Sequence, residues 1–356
     1  MSNTLPCLFV DLPTIAGNAS AMVDLCQSSH INPVGIIKLA CGSRDVASAM
    51  LEGGIKTIGD SRIDNLEKIA DLPVEKMLLR IPQISRALDT VKYADISLNS
   101  EEHTLRALSA AAVALNRTHR VIVMHDLGDL REGCINADDT VALARLAASL
   151  PGLALEGVGA NLACYGGVEP TTENQQQLVD IAHRIEAELG IGLHTVSGAS
   201  SAALPLLLRH GVPVGINQLR LGASLILGIG LNDEPIPGTS QDAVRLAVEI
   251  VELKEKPSVP TGSTALDAFG NKPVFEDFGI RQRAICAIGK QDIDFAELQA
   301  VDPGVRIIGG SSDHLILDVS ESALNYQVGD AVYFTLSYGG TLQCMTSDYV
   351  RKEYVH

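Results

Sequence analysis

The sequence predicts an α/β protein in which a (β/α)8 barrel of the TIM type is followed by a smaller, mostly β domain. Short apolar strand patterns recur eight times between Val34 and Leu219, and amphipathic helical patterns separate many of them. After about Gly230 the pattern changes to β-type runs separated by Gly and Pro turns. Buried strands that alternate with helices are typical of parallel βαβ units. Eight units favour a closed barrel, although an open doubly wound sheet is also compatible.

The predicted barrel strands share short runs of apolar residues. They are Val34–Lys38, Ile55–Ile58, Met77–Arg80, Asp95–Leu98, Arg120–His125, Ala154–Gly159, Leu193–Val196 and Ile216–Leu219. Three of the intervening helices show a clear apolar stripe at helical spacing. These stripes are Leu105, Leu108, Ala112 and Leu115; Leu143, Leu146, Ala147 and Leu150; and Leu178, Ile181, Ala182, Ile185 and Leu189. Helices and strands therefore alternate along residues 11–230, which we predict to be the barrel domain.

Residues 231–356 form the predicted β domain, which begins with a Pro- and Gly-rich linker at Asn232–Gly238. Residues 1–10 contain a strand-like run, Leu8–Val10, that we expect to pair with this domain. Its own predicted strands are Val244–Leu253, Arg283–Ile288, Val305–Ile308, His314–Val319 and Ala331–Leu336.

Composition excludes several classes of function. The net charge of −16 argues against nucleic-acid binding, which needs basic surface, and it suits a small cationic substrate. The sequence contains no apolar run long enough to span a membrane and no signal-peptide pattern at its start, so we expect a cytoplasmic protein. The seven cysteines are scattered and include no CxxC pair, so neither a disulfide framework nor a zinc site is indicated.

Polar residues stand where the predicted strands end, and in a barrel of this type the active site forms at the carboxyl ends of the strands. Lys38 closes the first strand, where desolvation favours its neutral and nucleophilic amine. The other polar residues at or just beyond strand ends are Arg80, Asp126, Arg131, Asn161, Ser197 and Arg220. We therefore expect a convergent polar site with Lys38 as its nucleophile.

Two loops rich in small residues indicate a phosphate site. Ser197-Gly-Ala-Ser200-Ser201 follows the seventh strand, and Arg220-Leu-Gly-Ala-Ser224 follows the eighth. Barrels commonly bind phosphate there, through backbone N–H groups and hydroxyls that small residues allow to approach the anion. A lysine aimed at a carbonyl carbon, with a phosphate anchor opposite, predicts pyridoxal 5'-phosphate held by Lys38 as a Schiff base.

Arg220 is expected to face the pyridine nitrogen of that cofactor. A guanidinium group has no site to accept a proton, so the ring nitrogen would stay unprotonated. An unprotonated ring withdraws electrons less strongly and keeps a carbanion short-lived, which suits racemisation better than transamination.

The chain resembles the fold-type III pyridoxal-phosphate enzymes of the alanine racemase group, and most of all their ornithine racemase branch, the diamino-acid racemases. The resemblance spans nearly the whole chain. The runs that carry it are Asp60–Asn65, Met77–Pro82, Lys92–Ser97, Asp126–Gly133, Asp267–Pro273 and Ser311–Ile316.

The resemblance implies roles for individual residues. Lys38 matches the Schiff-base lysine, which also acts as base on one face of the substrate, and Arg131 matches an arginine near the cofactor phenolate and the substrate carboxylate. Asn161 stands where alanine racemases usually carry a histidine beside the ring. The remaining matches concern the cofactor: Ser201 for the phosphate, Arg220 for the pyridine nitrogen, Gly222 and Ala223 for backbone phosphate contacts, and Tyr349 for a last phosphate hydroxyl.

Two departures leave the base on the opposite face open. The alanine racemase motif after the lysine contains a tyrosine, whereas Leu39–Gly42 has none. Alanine racemases also take the second base, a tyrosine after an Ile-Gly pair, from the partner subunit, whereas Ile288-Gly289 precedes Lys290 here. The candidates for this base are Lys290, Asp292, the Asp313-His314 pair and Cys41; Asp313 is alternatively a group that recognises a substrate amine.

The sequence thus predicts a two-base racemase of ornithine or another basic amino acid, acting as a homodimer with shared active sites. Three alternatives stay open. One is a non-catalytic pyridoxal-phosphate carrier, which would resemble the barrel alone. The second is a decarboxylase or aldolase of the same fold. The third is a cofactor-free barrel enzyme that uses Lys38 as its own Schiff base.

Overall fold

The computed structural model describes residues 4–266, 269–270, 272 and 274–356, and these divide into two compact units. One unit is formed by Leu12–Gln241, and the other by the described part of residues 1–11 together with 242–356. The first unit contains a closed barrel of eight parallel strands, and the second contains a mostly antiparallel sheet. The predicted fold class is therefore confirmed.

Strand β1 (Cys7–Asp11) belongs to the second unit, and the barrel strands follow it in chain order. They are β2 (Asn32–Ile36), β3 (Thr57–Asp60), β4 (Glu75–Leu78), β5 (Ile96–Asn99), β6 (His119–Met124), β7 (Leu153–Gly159), β8 (Thr195–Ser200) and β9 (Gln218–Leu221). Each predicted barrel strand overlaps one of these. The barrel closes because β9 pairs with β2 in parallel, so the loops after β9 and β2 are neighbours.

Helices alternate with the barrel strands. They are α1 (Leu12–Ser28), α2 (Arg44–Glu52), α3 (Ile63–Lys68), α4 (Ala87–Tyr93), α5 (Glu102–Ala114), α6 (Ala137–Ser149), α7 (Thr172–Leu189), α8 (Leu204–His210) and α9 (Ala223–Ile226). Helix α1 precedes the first barrel strand, α9 follows the last, and the others lie between successive strands. Helices α5, α6 and α7 carry the three predicted apolar stripes, except that Leu115 and Leu150 lie just past the ends of α5 and α6. The stripes pack in one cluster with residues of β6, β7 and β8, whereas Leu115 is exposed. A capping box at Thr171 and Asn174 sets the start of α7. Helix α1, which precedes the first barrel strand, was not predicted.

The barrel interior has an apolar middle layer. Val34 and Ile36 on β2 pack in one cluster with Leu98 on β5 and Met124 on β6. Because β2 is not a neighbour of β5 or β6 in the sheet, these side chains can meet only inside the barrel. This layer separates the amino ends of the strands from the carboxyl ends, where the polar side chains of the candidate site lie.

A polar cluster fills the amino end of the barrel. Arg120 pairs with Glu75 and lies 3.8 Å from Glu156, while Thr57 Oγ1 donates to Glu75 at 3.1 Å and Thr195 Oγ1 donates to Glu156 at 3.3 Å. These residues sit at or near the starts of β3, β4, β6, β7 and β8. The two ends of the barrel are therefore chemically distinct.

The second unit is built around a long central strand. Its further elements are β10 (Val244–Pro257), β11 (Ile280–Cys286), β12 (Leu298–Ala300), β13 (Arg306–Gly310), β14 (Leu315–Asp318), β15 (Ala331–Leu336), α10 (Tyr338–Thr346) and β16 (Arg351–Val355). The sheet order is β12-β15-β10-β11-β14-β13, and β1 pairs antiparallel with β10 and parallel with β16. Strands β12 and β16 and helix α10 were not predicted.

The barrel unit extends to Gln241, whereas the sequence pattern suggested a boundary at residue 230. The reason is a pair of hydrogen bonds to α1. Asn18 Nδ2 donates to the Ser240 carbonyl oxygen at 2.9 Å, and Ser240 N donates to Asn18 Oδ1 at 2.7 Å. The segment predicted as a linker, Asn232–Gly238, therefore packs within the barrel unit. None of the helices described is long and apolar enough to cross a membrane.

Candidate active site

Lys38 lies just past the carboxyl end of β2. The strand ends at Ile36, two residues earlier than predicted, and Lys38 begins a short 3-10 turn that ends at Ala40. Lys38 is half-buried between the fully buried Ile37 and Leu39. Its amine therefore stands at the mouth of the barrel, as the sequence indicated, but on a turn and not on the strand.

The turn after Lys38 needs two left-handed residues, Cys41 (φ 52°) and Gly42 (φ 70°). A side chain at position 42 would also collide with Asn65, because an added Cβ would lie 2.5 Å from the Asn65 Cβ. Glycine relieves both the conformational strain and the collision. Gly42 therefore allows the turn after Lys38 to pack closely against α3.

Asp60, at the end of β3, holds that turn through a chain of hydrogen bonds. Both oxygens of its carboxyl group accept from Asn65 Nδ2, at 3.1 and 3.2 Å. Asn65 Oδ1 accepts from Lys68 Nζ at 3.0 Å, and Lys68 Nζ also donates to the Cys41 carbonyl oxygen at 2.8 Å. The end of β3 and helix α3 thus fix the position of the segment that carries Lys38.

Burial raises the pKa of Asp60 to about 6, although hydrogen bonds from Arg62 N and Asn65 and the charge of Lys38 act in the opposite direction. Its side chain is fully buried. The free-energy cost of removing the carboxylate from water exceeds the stabilisation that these partners provide. The carboxyl group therefore gains a proton at higher pH than in the unfolded chain.

Arg220, on β9, lies in the upper part of the barrel interior. Its Nη1 donates to Ser197 Oγ on β8, and its Nη2 donates to the Ala160 carbonyl oxygen at 2.7 Å. Complete burial lowers the pKa of Arg220 to about 10; the carboxylate of Glu132 opposes this shift and the charge of Arg131 adds to it. At neutral pH the guanidinium group keeps its charge.

The two small-residue loops are joined through Ser201. Its Oγ accepts from Gly222 N and from Ser224 N, both at 3.2 Å, and lies 3.0 Å from Ser224 Oγ. Ser200 Oγ accepts from Ala202 N at 3.4 Å. The loops after β8 and β9 therefore bring hydroxyl and backbone N–H groups together, and Ala223 begins helix α9 at this point.

Arg131 and Asn161 lie in the loops after β6 and β7. Arg131 Nε lies 2.5 Å from Oε2 of Glu132, and Arg131 Nη1 donates to Cys164 Sγ at 2.9 Å. Asn161 Nδ2 is buried and has no hydrogen-bond partner among the described residues. An orphaned buried donor of this kind costs free energy unless a bound group accepts from it.

Asp129 connects these two loops through hydrogen bonds. Its carboxylate accepts from the backbone N–H groups of Cys164 at 3.3 Å, Tyr165 at 2.9 Å and Val168 at 3.0 Å. The Asp129 carbonyl oxygen accepts from Gly166 N at 2.9 Å, and an added Cβ on Gly166 would lie 2.7 Å from that oxygen. Arg131 is thus carried by a braced loop.

Four of the predicted residues of the second unit share one corner of it. Lys290 N donates to the Ser311 carbonyl oxygen at 3.0 Å, which places the loop of Lys290 and Asp292 beside that of Asp313. Ser347 links Tyr349 to the same corner, because Ser347 Oγ donates to Asp292 Oδ1 at 2.8 Å and accepts from Tyr349 N at 3.2 Å.

The side chains in this corner differ in their exposure to solvent and in their contacts. Asp292 is 6 % exposed, and the Tyr349 side chain is 73 % exposed. Lys290 Nζ lies 4.5 Å from the centre of the Phe269 ring, and Asp313 Oδ1 lies 3.3 Å from His314 Nδ1. A hydrogen bond from Ser311 is the main reason why the pKa of Asp313 is lowered. Residues 267, 268, 271 and 273 of the run Asp267–Pro273 lie outside the described residues.

Arg80, also noted at a strand end, lies two residues beyond its strand. Strand β4 ends at Leu78, and Arg80 is exposed in a surface pocket that Arg62, Asp64 and Arg86 also line.

The residues of the barrel mouth fit pyridoxal phosphate. Asn161 offers an unused buried amide donor, Arg220 a buried cation, and Ser201 a hydroxyl surrounded by backbone N–H groups. These donors match an anionic phosphate, a ring heteroatom and a phenolate oxygen, and Lys38 supplies an amine for the carbonyl carbon.

Glu132, Ser224 and Asp60 belong to this region and were not predicted as site residues. Glu132 directly follows Arg131, and Ser224 is the last residue of the second small-residue loop, so position alone gave a signal for both. Asp60 stands two residues beyond the predicted end of its strand, and extension of the strand to Asp60 would have included it. Ser224 has a distant partner, Ser201, and the burial of Asp60 and Ser224 is produced by the folded barrel.

Comparisons with known proteins agree with this architecture. A family model described as "Alanine racemase, N-terminal domain" matches residues 10–229. The chain is 44 % identical to an ornithine racemase of Acetoanaerobium sticklandii, over 98 % of this chain and 99 % of that protein. It is 38 % identical to a lysine racemase of Thermotoga maritima, over 98 % of each chain. A solved alanine racemase of Clostridium difficile has a TM-score of 0.75 at 18 % identity, covering 99 % of this chain and 97 % of that one, which shows the fold.

Proposed function

The chain belongs to the alanine racemase family, and we propose that it uses pyridoxal phosphate to interconvert the L- and D-enantiomers of a basic amino acid, ornithine foremost. That the chain is a racemase is confirmed by its two curated relatives, each of which matches nearly the whole chain. Their names, together with the net charge of −16, support a cationic substrate.

One observation carries the proposal. Burial raises the pKa of Glu132, and the charges of Arg131, Arg220 and Lys38 oppose this rise, while Arg131 Nε lies 2.5 Å from Glu132 Oε2; these three cations therefore act on one carboxyl group at the barrel mouth. A lysine for covalent binding, an arginine that can face a ring nitrogen and an arginine that can bind a carboxylate are the cations that such a racemase requires.

Each residue of the barrel mouth has a role in this proposal. Lys38 would hold the cofactor covalently, and Arg220 would face the pyridine nitrogen of the cofactor. Asn161 would donate a hydrogen bond to the cofactor through Nδ2, which has no partner among the described residues. The residues proposed to surround the phosphate group are Ser197, Ser200, Ser201, Gly222 and Ala223. Of these, Ser197 also orients Arg220, because Arg220 Nη1 donates to its Oγ.

Pyridoxal phosphate, when bound, supplies an electron-withdrawing group that makes the α-hydrogen of an attached amino acid acidic. Arg131 binds the substrate carboxylate and so fixes the direction in which the Cα–H bond points. Lys38 Nζ takes or returns the α-proton on one face of the substrate. Arg220 stays charged and can only donate hydrogen bonds, so a ring nitrogen that faces it would act as the acceptor and stay unprotonated.

The opposite face requires a second base, which we propose comes from the second unit of a partner subunit in a homodimer. Asp292 is the weaker candidate, because its buried carboxylate already accepts from Ser347 Oγ and weakly from Gly289 N. Lys290 and the Asp313-His314 pair are more exposed and stand in the same corner. Cys41 remains a candidate on the barrel itself.

The function is tested with purified enzyme, added pyridoxal phosphate and the L-forms of ornithine, lysine and alanine in deuterated water. We expect the D-enantiomer of ornithine by chiral chromatography, with deuterium at Cα. Carbon dioxide or aldehyde as the main product would instead identify a decarboxylase or aldolase. Cofactor binding without α-proton exchange would identify a carrier.

A further inference from the structure

Glu132 is unusually buried for a carboxylate. It follows Arg131 in the loop after β6, and its side chain is 10 % exposed, whereas that of Arg131 is 37 % exposed. A carboxylate is rarely buried to this degree unless a cation or several hydrogen-bond donors compensate for the lost water. The question is which partner compensates here.

Cations compensate for part of the water that the Glu132 carboxylate loses. Desolvation raises the pKa of Glu132, and the charge of Arg131, followed by those of Arg220 and Lys38, opposes this rise. Arg131 is the direct partner, since its Nε lies 2.5 Å from Glu132 Oε2. Glu132 therefore pairs directly with Arg131, and the charges of Arg220 and Lys38 also act on its carboxyl group.

Two other buried carboxylates in the loop after β6 accept hydrogen bonds from the backbone. Asp126 Oδ1 accepts from Gly128 N and Leu130 N, at 2.9 and 3.2 Å. The Asp129 carboxylate accepts from three backbone N–H groups. Glu132 differs because its partner is the guanidinium group of Arg131, so it stabilises a side chain and not the backbone.

Arg131 is held at two of its three guanidinium nitrogens. Nε forms an ion pair with Glu132 Oε2 at 2.5 Å, Nη1 donates to Cys164 Sγ at 2.9 Å, and Nη2 makes no hydrogen bond to the residues that the structure describes. A guanidinium group is planar, so two fixed nitrogens determine the direction of the third. The direction of Nη2 is therefore fixed, and this nitrogen is available to bind a ligand.

We propose that Glu132 is a positioning residue: it holds Arg131 by Nε so that the Nη2 end is preorganised to bind the α-carboxylate of the substrate. The inference rests on the proposed function, since that function assigns the substrate carboxylate to Arg131. Without Glu132 the arginine side chain would regain rotamer freedom, and each binding event would have to restrict it again.

The test uses Glu132→Gln, which keeps the size of the side chain and removes its charge. With L-ornithine as substrate, the KM is expected to rise about tenfold, with a much smaller change in kcat. Two ligands that cannot be racemised give a second readout by calorimetry on the full-length, cofactor-loaded protein. These are 5-aminopentanoate, which has a carboxylate, and 1,4-diaminobutane, which has two amines and none.

We expect Glu132→Gln to weaken 5-aminopentanoate about tenfold and to leave 1,4-diaminobutane within about twofold of the wild type. Equal weakening of both ligands would mean general damage to the site, and weakening of the diamine alone would mean that Glu132 binds an ammonium group. Either result overturns the inference. Unchanged binding of both ligands overturns it as well.

Two further variants complete the test. Glu156→Gln removes a carboxylate of similar exposure, 13 %, that lies near Arg120 at the amino end of the barrel, and it should bind both ligands as the wild type does. Glu132→Asp keeps the charge on a shorter side chain and should give intermediate weakening, which keeps the inference testable if Glu132→Gln folds poorly. If the wild type binds both ligands but racemises no amino acid, the proposed function fails while the positioning of Arg131 is still measured.

Discussion

Nη2 of Arg220 lies 2.7 Å from the backbone carbonyl oxygen of Ala160, so a cation on β9 is tied directly to the residue that follows β7. Together with the bond from Nη1 to Ser197 Oγ, this contact fixes the guanidinium plane inside the barrel.

Replacement of Arg220 with lysine should therefore weaken the fold as well as the reaction. Lysine keeps the charge but cannot reproduce the two-pronged geometry, so one of two buried acceptors loses its donor at a cost of about 1–3 kcal/mol. Urea denaturation should show the loss in unfolding free energy, and racemisation should slow at least tenfold. Arg209→Lys, on the exposed face of α8, serves as the control and should change neither measurement. Wild-type stability in Arg220→Lys would contradict the role given to the paired hydrogen bonds.

Lys38→Ala should abolish racemisation and covalent cofactor binding together, because the variant has no amine at the barrel mouth to form the bond. Borohydride treatment followed by mass spectrometry should find the cofactor attached at residue 38 in the wild type. It should find no attachment in the variant. Lys92 is an exposed residue in the last turn of α4, and Lys92→Ala is the matched control, which should keep racemisation and covalent cofactor binding. A borohydride-reducible adduct that persists in Lys38→Ala would refute the assignment.

Asp60 should make the unfolding free energy depend on pH. Its pKa is raised from 3.8 to about 6 in the folded chain. Between these values the folded state binds more protons than the unfolded state, so the unfolding free energy falls as the pH rises, by up to about 3 kcal/mol. Asp60→Asn has no proton to lose and should flatten this part of the curve. Denaturation from pH 4 to 7 measures it.

Asp64→Asn provides a control of opposite sign for that experiment. The pKa of Asp64 is lowered, mainly by a hydrogen bond from Arg86, so its contribution to stability is lost as the pH falls through the folded value. Removal of this group should therefore flatten a rise with pH, not a fall, and at lower pH. The prediction for Asp60 fails if both variants give the same curve.

Gly42→Ala should destabilise the turn that carries Lys38. The new side chain must adopt φ 70° and would lie 2.5 Å from Asn65 Cβ, so we expect a loss of at least about 1–2 kcal/mol and slower covalent trapping at Lys38. Gly17→Ala is the matched comparison. It lies within α1 with open space around it, and alanine there should stabilise the helix by about 0.5–1 kcal/mol. Equal effects of the two substitutions in denaturation would contradict this account.

Sequence reasoning reached furthest where the signal is local. The eight barrel strands and the stripes of α5, α6 and α7 follow from the periodicity of apolar residues, because a side chain that must be buried recurs at the period of its own element. Lys38, Ser201 and Arg220 were singled out because they stand at or next to strand ends, and in a parallel barrel all carboxyl ends share one mouth.

Other features depend on contacts that no local pattern encodes. The short strands β12 and β16 exist because they pair with β15 and β1, which are far away in the chain. The exact end of β2 before Lys38 depends on Asp60 and Asn65, which brace the turn from the next βα unit. Neither dependence could be read from the residues next to Lys38.

The sequence by itself determined the barrel, the lysine at its mouth, and the small-residue loops opposite, because hydrophobic period and strand polarity are properties of the chain read in order. Only the tertiary structure decided that Glu132 is buried beside Arg131, that Asn161 carries an unused amide donor, and that Asp292 is already occupied by Ser347. The physical reason is that burial and hydrogen-bond partnership are set by groups that folding brings together from separate loops, and these set the charge and orientation of a side chain.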